Sequence, residues 1–167
     1  VQFISLDPGS RTRPEVAKAW IETLVAAIRK VNTKHLVTVG LVDWSLERPG
    51  LTSGFVPAKV CEPLDFVAVH LYPEKDNVPH ALETLAGFQI GKPVVIEETF
   101  PLKCSFDEMR TFLREARGPA TGVISFYWGQ TPEELEQAGT LPAAIQREWL
   151  RVFREARGAG FPAVEGF

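Results

Sequence analysis

Two adjacent carboxylates close a short apolar run in the segment GKPVVIEETF, residues 91–100. Val94, Val95 and Ile96 suit a buried, pleated strand, so Glu97 and Glu98 sit where charge must be either satisfied or used. In parallel α/β folds the carboxyl ends of strands are where ligands bind and reactions occur. Other runs finish in the same manner. DFVAVHLYP, from Asp65, ends in His70 and Tyr72, and GVISFYWG, from Gly122, ends in Tyr127 and Trp128. Strand side chains alternate, which puts His70 and Tyr72 on one face and Val67, Val69 and Leu71 on the other. Taken singly, each residue has a structural explanation: an ion-paired strand end, a hydrogen-bonded histidine, a packed tryptophan. Their recurrence at the same end of successive strands points to a site. A hydrogen bond from a phenol favours the ionised form of a carboxylate.

The elements that position these residues alternate. Thr12-x-x-Glu15 is a capping box, and the helix it opens carries Trp20, Leu24, Ala27, Ile28 and Val31 at three- and four-residue spacing, the expected apolar face. A buried strand is expected over His35 to Val42, followed by a long loop, 43–60, that holds Asp43 and Trp44. Asp65 to Leu71 is the second strand, 78–88 a short helix, and 93–98 the third strand. Ser105-x-x-Glu108 opens another helix, expected to stop with Gly118 in the C′ position. Gly122 to Trp128 is the fourth strand. Thr131-x-x-Glu134 caps a small helix, and a last amphipathic helix is expected over 142–157, closed by Gly158. Strands alternating with helices imply an α/β fold with a parallel sheet. The spacing suits half of a (β/α)8 barrel, whose whole takes ~250 residues, and equally a four-stranded open sheet.

At 167 residues the chain is sized for a single domain, 1–167, with a real core. A net charge of −3 gives no basic footprint, so nucleic acid is excluded as an expected partner. No apolar run approaches the ~20 residues that span a bilayer, and no signal peptide is evident. The sequence opens on VQFISLDPG without an initiator Met, the expectation for a processed product or a piece of a longer protein. Cys61 precedes one expected strand and Cys104 follows the next, at opposite ends of the sheet. A six-residue strand is roughly 20 Å long, beyond the ~7 Å between Cα atoms that a disulfide tolerates, so two free thiols are expected. There is no phosphate-binding glycine loop or dinucleotide fingerprint, hence no expected cofactor, and no GxSxG.

The order HLVTVG, DFVAVHLYP, GKPVVIEETF, GVISFYWG resembles the second half of the retaining glycoside hydrolases of family 5, the cellulase and mannanase family, over positions 20–130. The resemblance implies a (β/α)8 TIM barrel of which this chain supplies strands five to eight. It implies Glu98 as the nucleophile, with Glu97 the preceding, structural position. Tyr72 matches the tyrosine that orients the nucleophile, His70 the histidine lining the same subsite, and Trp128 the platform on which the reacting sugar stacks. Trp44 would line a neighbouring subsite. Displacement with retention needs a carboxylate that attacks the anomeric carbon, and a second carboxyl group ~5–5.5 Å away that protonates the leaving oxygen. Secretion, to the periplasm or beyond, follows from a polymeric substrate.

One departure stands out. The family carries its acid/base glutamate in an Asn-Glu pair after strand four, and this sequence contains no Asn-Glu. The expected partner is therefore the missing N-terminal half of the barrel, and the chain alone is expected not to turn over a glycoside. A competing class is a non-catalytic carbohydrate-binding or assembly half-barrel. A (β/α)8 isomerase or metal-dependent lyase using His70, Glu98 and a metal is the third: metal sites need several converging ligands, and with His35 at a strand start and His80 in a helix only His70 qualifies, so no metal is expected.

Overall fold

The computed structural model describes residues 9–47, 53–125, 127 and 129–158. Four parallel strands lie in one sheet in chain order: β1 (Gly40–Val42), β2 (Val67–His70), β3 (Val94–Glu98) and β4 (Gly122–Val123). The helices are α1 (Arg13–Val31), α2 (Pro57–Val60), α3 (Val78–Ala86), α4 (Phe106–Glu115), α5 (Pro132–Ala138) and α6 (Leu141–Gly158). Helix α1 packs on α2, α3 on α4, and α4 and α5 on α6. Parallel strands in sequential order with right-handed crossovers wind in one direction and gather their helices on one face. Leu41, Val69 and Ile96, at matched register positions, are essentially inaccessible. They join Ile21, Leu85, Phe88, Phe112 and Trp149 in the core between sheet and helices.

Local chemistry fixes the ends of the elements. Glu15 accepts from the Thr12 backbone N–H at 2.6 Å, and Pro14 stands in the first turn of α1. Ser105 and Glu108 form a reciprocal capping box at α4, as Thr131 and Glu134 do at α5. Gly139 ends α5 at φ 62°, a left-handed position that glycine takes without a Cβ penalty. Lys92 donates to the carbonyls of Glu62 (3.1 Å) and Leu64 (2.5 Å), tying the start of β3 to the approach to β2. The Lys-Pro pair ahead of the third strand is thus a structural clamp.

Five expectations need correction. The buried stripe of α1 is Ala17, Ile21 and Val25, whereas Trp20, Leu24, Ile28 and Val31 are exposed. Two apolar faces adjoin on this helix, and the larger residues lie on the outer one. The first strand is shorter than His35–Val42. Ladder pairing begins at Gly40; ahead of it the Val37 N–H donates to the Asp65 carboxylate (2.6 Å) and the Thr38 hydroxyl to the Phe66 carbonyl (2.8 Å). Pairing of the fourth strand stops at Val123, with Ile124 still donating to Ile96 at 2.8 Å. Helix α4 ends at Glu115 with Ala116 as its right-handed cap, so Gly118 is not its C′ glycine, and α6 runs through Gly158. Cys61 and Cys104 are both free thiols, pushed up to about 11 by burial.

Candidate active site

Parallel pairing of β2 with β3 carries a register shift. Val69 stands opposite Ile96, but the next residue, His70, stands opposite Glu98, leaving Glu97 as the extra residue of a bulge on β3. In a regular strand Glu97 and Glu98 would point to opposite faces. A bulge sets two residues against one and re-aims their side chains, a device common beside active sites. Here both carboxylates reach the same imidazole. His70 Nε2 lies 2.9 Å from Glu97 Oε1, and Nδ1 lies 3.3 Å from Glu98 Oε2. The Tyr72 hydroxyl donates to the other Glu98 oxygen, Oε1. Burial, then the hydrogen bond to Glu98 and its charge, push the Tyr72 phenol up to about 12, so it remains a donor throughout the neutral range.

The loops that follow β2 and β3 are stapled together just beyond these residues. Glu74 and Lys103 form an isolated parallel bridge and a 2.8 Å ion pair, and Lys75 N–H donates to the Lys103 carbonyl at 2.8 Å. The Asp76 N–H donates to Glu108 at 2.6 Å, which secures a left-handed residue at φ 59°. Tyr72 and Glu98 therefore sit on strand ends whose loops cannot separate without breaking several hydrogen bonds. A cleft of about 520 Å³ opens beside them, lined by Trp44, His70, Tyr72, Asn77, His80 and Glu98 among others. Trp44, in a 3-10 turn directly after β1, is 43% exposed, leaving ring surface for a ligand. The arrangement offers a carboxylate hydrogen-bonded at one oxygen, an imidazole nitrogen beside the other, and an aromatic ring along the same cleft.

The fold resembles that of a solved mannanase. The neighbour is the endo-beta-1,4-mannanase from Thermotoga petrophila, matched with a TM-score of 0.52 and 17% identity over 90% of this chain. The chain spans 42% of that protein's length. At this identity the likeness bears on the fold alone: a parallel α/β arrangement shared with part of that mannanase. No protein-family model and no curated protein matches the sequence.

Of the residues singled out by sequence, Glu98, Tyr72, His70 and Trp44 line one cleft, while Trp128 lies outside the described residues. His35 is remote, bonded to Asn32 before β1. Glu97, expected to hold a structural position, is hydrogen-bonded to His70. Sequence reasoning missed one residue beside it. Gly40 lies against that pair: a Cβ there would sit 2.5 Å from His70 Nε2 and collide with Glu97 Oε1. The available signal was a glycine inside the aliphatic run HLVTVGLV, since glycine within a strand often marks close approach of another group. Among the described residues no cluster of three His, Cys, Asp or Glu is placed to hold a metal ion, and no helix is long and apolar enough to cross a membrane.

Proposed function

We propose that the chain, as a single unit over 1–167, is the nucleophile-bearing second half of a (β/α)8 glycoside hydrolase similar to family 5, acting on a β-linked polysaccharide outside the cytoplasm. The observation that carries this reading is the grip on Glu98, with Tyr72 on Oε1 and His70 beside Oε2. Glu98 attacks the anomeric carbon as the glycosidic C–O bond breaks, and the leaving oxygen takes a proton from a second carboxyl group. The Tyr72 hydrogen bond favours the ionised carboxylate that attack requires. Trp44 offers a stacking surface for a neighbouring sugar, and Trp128 is assigned to the reacting one. No Asn-Glu pair occurs in the sequence, so the acid/base carboxyl comes from outside these residues. The half-exposed stripe of Trp20, Leu24 and Ile28 supports a further half packed alongside α1.

A dinitrophenyl β-glycoside tests the reading, because its leaving group departs without a proton. The expected result is a burst of about one dinitrophenolate per protein, absent from Glu98→Ala, with no steady turnover. Steady hydrolysis of unactivated glycosides that survives in Glu98→Ala would overturn it.

A further inference from the structure

Glu97 takes no part in the proposed displacement, yet it is as firmly placed as Glu98. We propose that Glu97 is a positioning residue, fixing the His70 ring and through it the Oε2 side of Glu98, and that Gly40 exists to leave room for that contact. The inference rests on the glycosidase reading only for why Glu98 needs holding. A carboxylate only accepts hydrogen bonds, so His70 Nε2–H is the donor to Glu97 at 2.9 Å. That bond fixes the ring plane and sets Nδ1 3.3 Å from Glu98 Oε2, where it acts as a donor when both ring nitrogens carry protons. Outer partners of a histidine commonly set its tautomer and orientation in this way.

Three observations converge. The bulge on β3 spends one residue of register to bring Glu97 to the same imidazole as Glu98. Gly40 does not have a left-handed φ, so backbone conformation does not call for glycine there. The space does: an alanine Cβ would sit on Nε2 and Glu97 Oε1, the two ends of this one bond. The imidazole also stands between the two carboxylates, so Glu97 is not the second carboxyl group of the reaction.

The test uses the 167-residue protein, isotope-labelled in His and Glu, with Glu97→Gln, Glu97→Ala and Gly40→Ala. Magnetic resonance at neutral pH reads the His70 ring nitrogens and the Glu98 side-chain carboxyl carbon. Glu97→Gln removes the charge but keeps an acceptor oxygen, so it should leave both close to wild type. Glu97→Ala and Gly40→Ala should shift both. The dinitrophenolate burst should slow by about fivefold in Glu97→Ala, as expected for one lost hydrogen bond, and recover in Glu97→Gln. If Glu97→Ala leaves the Glu98 carbon unmoved, or if Glu97→Gln shifts it equally, positioning through His70 is wrong. Should Gly40→Ala fail to fold, the Gln and Ala pair at Glu97 decides alone. If the carbon shifts as expected while wild type shows no burst, the glycosidase reading fails and the positioning role stands.

Discussion

Removing the Tyr72 hydroxyl isolates the contact on which the nucleophile assignment depends. In Tyr72→Phe the ring still fills its place between strand and cleft, but Glu98 Oε1 loses its donor. Hydrogen bonds to charged groups contribute about 1.5–3 kcal/mol. The Glu98 side chain is 31% exposed, so water replaces part of the loss and the lower end applies. About 1.5 kcal/mol corresponds to a burst about tenfold slower. A second readout follows from the phenol itself. Burial is the first cause of its rise to about 12 from the ordinary 10.0, with Glu98 the remainder. Because the folded-state value lies above the ordinary one, the stabilisation from this proton is complete below pH 10.0 and is lost as pH rises through about 12. Glu98→Gln should bring the phenol's titration down while burial keeps it above 10.0. Ultraviolet absorbance of the phenolate, in a Tyr127→Phe background that leaves Tyr72 alone, follows this directly. An unchanged burst rate in Tyr72→Phe, or a Tyr72 titration indifferent to Glu98→Gln, would refute the reasoning.

The face assignment of α1 is tested by denaturant midpoints: Ile21→Ala should cost about 2–5 kcal/mol, and Leu24→Ala, on the exposed stripe, under about 1 kcal/mol. Asp65 is held below its ordinary 3.8, first by the Val37 N–H, with Arg29 adding its own hydrogen bond and charge against the effect of burial. Its stabilisation is therefore present above pH 3.8 and lost as pH falls through the lowered value. Asp65→Asn should melt earlier than wild type at neutral pH, with the gap closing in acid. A constant gap across that range would contradict the assignment.

Much of the fold was legible because its signals are local. Capping boxes at Thr12, Ser105 and Thr131 mark helix starts through side chains a few residues apart. The aliphatic runs before His70 and Glu98 mark β2 and β3 in the same local way. The misread features depend on partners distant in sequence. Which of two apolar stripes on α1 is buried depends on where the sheet lies, and Ala17 gave no sign of its place in the core. Strict alternation puts Glu97 and Glu98 on opposite faces, and only the register between β2 and β3 reveals the bulge that unites them. Gly118 resembled a helix stop, but the chain had already left α4 at Ala116 without left-handed backbone. Periodicity left a barrel segment and an open sheet equal. The strands lie in sequential order, β1-β2-β3-β4, an order the sequence alone did not fix.

The most direct test of the central claim is which glutamate becomes glycosylated. An activated 2-deoxy-2-fluoro-β-glycoside transfers its sugar to the nucleophile as the leaving group departs with its electron pair, and the fluorine slows release enough for mass analysis. Peptide mapping after incubation should place the sugar on Glu98 and leave Glu97 unmodified. A sugar on Glu97, or labelling that persists in Glu98→Ala, would contradict the account.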